Sequence, residues 1–286
     1  MAEATALIQQ DDPEAQEEDR LRARIDALRD EIALATAELE ELRAQISAFE
    51  ARFDARIGVL IVEVDRLSVR IAEYEHRIAA LSEPAETWTR VEEEISQEYR
   101  AEWERIEAEG EEARQSGQRV ADLPPDPPED VRLALRHLYR KLARDYHPDL
   151  AKTDEERGFN ETAMRRINAA YEANDLDALL RLEDELPSRD SAFPGVTTSA
   201  RISWAAAQIG RLDQVLAGLQ ADLTRLKATD KYRLYEKVQA DASVLDRMES
   251  SYRREIDAKR ERLDSLIVEY RTAASDKFMS TGTPHG

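Results

Sequence analysis

The chain predicts an all-α fold in which a small helical module is flanked by two long coiled-coil helices. Three observations point there. Charged residues make up 36% of 286 residues while glycine occurs only nine times, a balance that suits extended helices better than one large globular core. Apolar residues recur at alternating steps of three and four through both ends of the chain, the spacing of a helix that buries one seam. Between these ends lies a short amphipathic segment whose basic face runs up to His147-Pro148-Asp149.

The segment from Met1 to Glu18 is acidic and lacks the basic and apolar parts of a signal peptide, and residues 1–15 read as a disordered N-terminus. Residues 16–83 form the first coiled-coil helix. Its apolar series starts at Leu21, Ile25, Leu28 and Ile32 and continues in threes and fours to Tyr74, Ile78 and Leu81. A pair of consecutive fours at Phe49-Phe53-Ile57 makes a stutter, which should locally unwind a supercoil. As one helix this segment would extend roughly 90 Å at 1.5 Å per residue, until Pro84 ends it. Residues 84–126 read as an acidic helix and a proline-rich linker. From 92 to 130 there are fourteen acidic residues against four arginines, which marks a solvated acidic arm.

Residues 127–186 form the module. Val131, Leu135, Leu138, Tyr139, Leu142 and Tyr146 draw one apolar stripe down a helix, and Arg136, Arg140, Lys141 and Arg144 fall on its other side. Pro148 disfavours helical geometry at His147, so the helix should stop at Tyr146 or His147 and leave Asp149 on a loop. Met164, Ile167 and Tyr171 repeat at i, i+3 and i+7 in a second helix, roughly 154 to 173, antiparallel to the first. Asp175 then caps a short final helix with apolar Leu176, Leu179 and Leu180.

The run Leu138-Tyr139-Arg140-Lys141-Leu142-Ala143-Arg144-Asp145-Tyr146 leads into His147-Pro148-Asp149. Downstream stands Met164-Arg165-Arg166-Ile167-Asn168-Ala169-Ala170-Tyr171-Glu172. Together these resemble the J-domain of DnaJ-type co-chaperones. The resemblance implies a helical hairpin with His-Pro-Asp in the exposed loop and a DnaK-type ATP-dependent chaperone as partner. It implies partner-binding roles for His147, Pro148, Asp149, Arg136, Arg140, Lys141, Arg144 and Arg165. It also implies a core of Leu135, Leu138, Tyr139, Leu142, Tyr146, Met164, Ile167 and Tyr171. The chain departs from the family pattern where Leu123-Pro124-Pro125-Asp126-Pro127-Pro128 replaces a short first helix, since that segment cannot be helical throughout. An upstream helix with Tyr99, Trp103 and Ile106 is expected to supply the missing packing. A basic fourth helix and a Gly/Phe-rich tail are also missing.

Residues 187–199 read as a linker containing Pro194-Gly195, 200–274 as the second coiled-coil helix, and 275–286 as a flexible tail. The second series runs through Ile202, Ala205, Ile209, Leu212 and Leu216, weakens over 227–233, and resumes from Val238 to Tyr270. Neither flank buries its stripe alone. The expected arrangement is an intrachain antiparallel hairpin with the module at its tip, and a homodimer pairing like flanks is the rival.

The formal charge of −20 argues against nucleic acid and anionic membrane surfaces. Within 131–146, Arg132, Arg136, Arg140, Lys141 and Arg144 face Asp145 alone, a local cationic island suited to an acidic partner. The acidic segment is expected to be a solvated linker and helix; the alternative is that it folds over that island and competes with the chaperone, which neutralising residues 92–122 would test. The longest strongly apolar run, near Gly58 to Val62, is too short to span a bilayer. The absence of cysteine excludes disulfides, thiol nucleophiles and a cysteine-rich zinc module, and fits a reducing cytoplasm. The four histidines lack metal-ligand spacing, and no glycine-rich phosphate loop occurs. No catalytic residue, metal or cofactor is expected, and the chain does not read as an enzyme. The functional expectation is a J-domain co-chaperone whose coils serve as client, adaptor or oligomerisation arms. The alternative is a structural coiled-coil scaffold whose J-like module is a docking tip without chaperone stimulation.

Overall fold

A computed structural model of the chain describes residues 13–83, 87–122, 127–187 and 197–280, and among these there is no strand. In chain order the helices are α1 (Pro13–Phe53), α2 (Val59–Ala80), α3 (Trp88–Glu98), α4 (Arg100–Asp122) and α5 (Glu129–Tyr146). They continue with α6 (Asp154–Glu172), α7 (Leu176–Glu185), α8 (Thr198–Lys227), α9 (Asp230–Ala240) and α10 (Ser243–Ser280). A π turn, Asp54–Gly58, joins α1 to α2, and a 3₁₀ turn, Pro148–Leu150, follows α5. The first helix thus begins inside the segment expected to be disordered, and α10 runs past 274 into the expected tail. The remaining N-terminal residues, the proline-rich linker at 123–126 and most of the 187–199 linker lie outside the described residues.

The chain divides into two compact units, one of Met1–Ile46 with Pro124–Tyr232 and one of Ser47–Leu123 with Arg233–Gly286. In the first unit, Ile25, Leu28 and Ile32 of α1 bury against Ala205, Leu212 and Leu216 of α8. Ion pairs flank that seam at Glu18–Arg201 (2.8 Å), Arg24–Asp213 (3.3 Å) and Glu38–Lys227 (2.8 Å). Partner numbers rise together along both helices, so α1 and α8 run in the same direction. The module is the helical hairpin α5–α6 with α7 laid across it. Leu135, Leu138, Tyr139, Leu142, Tyr146, Met164, Ile167 and Tyr171 are buried together with Leu179 and Leu182 of α7.

Local chemistry sets the ends of these short helices. The Thr153 hydroxyl accepts the Glu156 amide (3.1 Å) and the Glu156 carboxylate accepts the Lys152 amide (2.7 Å), a reciprocal cap that starts α6. At its other end Asn174 takes φ 55°, a left-handed conformation that asparagine tolerates. The Asp175 and Asn174 amides then satisfy the carbonyls of Ala170 and Tyr171. Asp175 in turn caps α7 by accepting the Ala178 amide at 2.8 Å.

In the second unit, Val64 and Leu67 of α2 bury against Ile256 of α10, with Tyr252 and Leu263 beside them. Arg260 pairs with Glu63 at 2.8 Å, the Tyr74 and Tyr270 rings meet edge-on at 5.8 Å, and Lys277 donates to the Leu81 carbonyl at 2.7 Å. This pair is parallel too. Helix α4 returns along α2 in the opposite sense: Trp103 donates to Glu73 (3.1 Å) and Ser116 to Asp54 (3.3 Å). A Cβ on Gly110 would sit 3.4 Å from Val62, which places this face of α4 directly on α2. The heptad stutter coincides with the π turn at Asp54–Gly58, where the extra residue is absorbed.

Two expectations are corrected. The flanks do pair within the chain, but in parallel rather than as an antiparallel hairpin. The module also does not sit at a hairpin tip: in its unit α5 lies beside α1, running against it from Arg136 at Glu41 to Arg144 at Asp26 and Asp30. The physical reason is the return path. Within the first unit α5 runs back along α1, and α8 starts beside the early residues of α1, where Arg201 meets Glu18.

Candidate partner-docking site

Helix α5 ends at Tyr146 because Pro148 follows two residues later, and His147, directly before the proline, adopts extended geometry, φ −61° and ψ 130°. Pro148, Asp149 and Leu150 then close a single 3₁₀ turn, with the Leu150 amide on the His147 carbonyl at 3.0 Å. The His147 Nδ1 accepts the Asp149 amide at 3.2 Å, so this nitrogen is unprotonated and the ring proton sits on Nε2. The imidazole is 8% exposed, and burial pushes its pKa below the ordinary value of 6.5, opposed only by the nearby Asp149 carboxylate. Asn160 of α6, fully buried, donates to the His147 carbonyl at 3.1 Å and ties the loop to the second helix.

The sequence-predicted residues separate into two groups. His147, Pro148 and Asp149 share one loop, with His147 buried and the other two half-buried. Arg140, Lys141 and Arg165 are exposed, Lys141 pairing with Glu183 of α7 and Arg165 bonding Thr162. Arg136 and Arg144 point the other way, onto α1. Arg136 pairs with Glu41, and Arg144 lies 3.1 Å from Asp30 and 3.8 Å from Asp26. The cationic island is therefore partly neutralised inside its own unit.

The same helix supplies the packing expected from the acidic arm. Ala33 and Ala37 of α1 belong to the module's core and let α5 approach closely. Trp103 and Ile106 instead serve the second unit, where Trp103 bonds Glu73 of α2.

The far side of the loop is also covered. Leu150, 7% exposed, inserts into the seam formed by Ile25, Leu28 and Ile32 of α1 and Ala205, Leu212 and Leu216 of α8. Arg211 of α8 donates to the Ala151 carbonyl at 2.9 Å. Burial, with Arg157 and Arg29 nearby, holds the Arg211 pKa below the usual guanidinium value, while Asp149 and Glu156 act against that. Half-exposed ion pairs such as those of Arg136 and Arg144 contribute about 0.2–1 kcal/mol each. Burying a leucine contributes about 1.5–3 kcal/mol. Apolar packing of Leu150 therefore outweighs each of these ion pairs in holding the loop.

Asn160, Leu150 and Arg211 were missed from sequence. Asn160 had a signal, since it occupies the stripe position four before Met164, where an apolar residue is expected. Leu150, the apolar residue that follows Asp149, had a weaker one. Arg211 had none, because its target lies 60 residues away.

Compared with known proteins, the chain matches no family model, no curated protein and no solved structure. Among the described residues no helix is long and apolar enough to cross a membrane, and no cluster of His, Asp or Glu is arranged to hold a metal ion.

Proposed function

We propose that the chain is a J-domain co-chaperone that binds a DnaK-type ATP-dependent chaperone and stimulates its ATPase. The observation that carries this reading is the antiparallel α5–α6 hairpin with His147-Pro148-Asp149 in its connecting turn. It is supported by the exposed bases Arg140, Lys141 and Arg165 on that hairpin. The cationic side suits an acidic partner surface, and the Asp149 carboxylate is able to take a charged hydrogen bond from a partner arginine. Such a contact acts by shifting the partner between conformations, so the hydrolytic activity belongs to the chaperone and not to this chain. The protein would work in the cytoplasm, with its coils as arms for a client, an adaptor or a second copy.

A second reading is a coiled-coil scaffold that keeps the module only as a folded docking part. The burial of His147 and the seating of Leu150 in the α1–α8 seam favour it. Steady-state ATPase of a DnaK-type chaperone, with and without the chain, separates the two. Stimulation that disappears in His147→Gln, at unchanged helicity by circular dichroism, is the expected result. Absence of stimulation at saturating concentration, in the wild type and in variants that loosen the loop, would establish the scaffold instead.

A further inference from the structure

We propose that α1 and α8 form an intramolecular latch that occupies the module's docking surface, so that the His147-Pro148-Asp149 loop becomes available only when the latch is displaced. The inference rests on the co-chaperone reading and extends it to regulation. Three contacts, all within one unit, carry it. Glu41, Asp30 and Asp26 of α1 take the guanidinium groups of Arg136 and Arg144, two of the cations offered to a partner. Leu150, directly after the loop aspartate, is seated in the α1–α8 seam. Arg211 of α8 holds the Ala151 carbonyl at the end of the same turn.

The chemistry of the occupant also describes the partner. The carboxylates of α1 stand where an acidic surface would stand, so an external partner offers the same charge and must compete for Arg136 and Arg144. Because the loop is bonded on one side to Asn160 and on the other to Arg211, a partner that grips Asp149 must also loosen α8. Apparent affinity is then lowered by the fraction of molecules whose latch is open. The acidic arm at 92–122 is not needed for this device, since α1 supplies the carboxylates.

The test uses the full chain in two latch variants. One is Asp26→Asn with Asp30→Asn and Glu41→Gln, which leaves the module's own residues intact. The other is Arg211→Met, on the α8 side, which keeps the experiment informative if the triple variant folds poorly. Hydrogen exchange at the Leu150 and Ala151 amides reports opening without any chaperone, because both amides are bonded within the turn. Exchange at these amides is expected to quicken by at least about fivefold, with a matching fall in the concentration giving half-maximal ATPase stimulation. Adding His147→Gln should abolish that gain. Unchanged exchange in both variants overturns the latch, and any stimulation by the wild type would leave the co-chaperone reading standing. Faster exchange with equal stimulation by wild type and variants also overturns it, since an opened latch would then control nothing. Faster exchange with no stimulation by any form removes the co-chaperone reading and the latch's role with it.

Discussion

His147 combines two properties that act in the same direction. Its Nδ1 accepts the Asp149 amide, which requires the neutral ring, and its burial disfavours charge. The docked loop therefore refuses a proton that the opened loop accepts at an ordinary histidine pKa. By linkage, its contribution to the docked state is complete above the ordinary value of about 6.5 and is lost as pH falls from there toward the lowered value. Protection of the Asp149 and Leu150 amides should thus decrease on acidification below neutrality, once intrinsic exchange rates are corrected for. In His147→Gln that slope should vanish. Protection that stays flat with pH in the wild type would show that the imidazole does not hold the turn. Asn160 works beside it by another route: its side-chain amide satisfies the His147 carbonyl, so the loop is braced by a neutral group that no pH change in this range disturbs.

Among the elements, α8 presents the clearest conflict between local propensity and position. Gly210 and Gly218 stand in the interior of a 30-residue helix, where glycine is a poor helix former. A Cβ at either place would meet nothing within 4 Å, so neither glycine is required by a neighbouring element. Gly210→Ala and Gly218→Ala should each stabilise the protein by about 0.8–1 kcal/mol, seen as a higher thermal midpoint. A lower midpoint would mean that α8 uses these positions for an approach absent from this arrangement. The short helices behave differently. Tyr146, Asp154 and Asp175 start or stop them where proline, threonine and aspartate chemistry places the ends, and those ends were readable from local residues. Gly58, in the π turn, has nearer neighbours, since a Cβ there would meet Asp54 and Ala113 at ordinary van der Waals distance.

At the scale of the whole molecule, both units pair an early helix with a late one in the same direction, α1 with α8 and α2 with α10. Spin labels at Glu38 and Lys227 should therefore lie close together. Labels at Glu38 and Arg201 should be roughly 30 Å apart or more, because Arg201 pairs with Glu18, twenty residues earlier at 1.5 Å per residue. The reverse order of distances would restore the antiparallel hairpin. Parallel pairing also places α8 where it meets the loop after α5. A helix arriving from the opposite sense would bring different residues to Leu150 and would not aim Arg211 at Ala151.

Periodicity and local capping were enough to recover the helical class, the stripe from Leu135 to Tyr146, the stop before Pro148 and the site of the heptad interruption. They work because each depends on residues within a few positions of one another. Which way the flanks run, which helix covers Arg136 and Arg144, and what buries Leu150 were settled only by the tertiary arrangement. A heptad stripe demands a partner and is silent on its direction, since hydrophobic burial has no polarity along a helix axis. The direction came from the return path of the chain and from ion pairs spanning nearly two hundred residues, which no local pattern encodes.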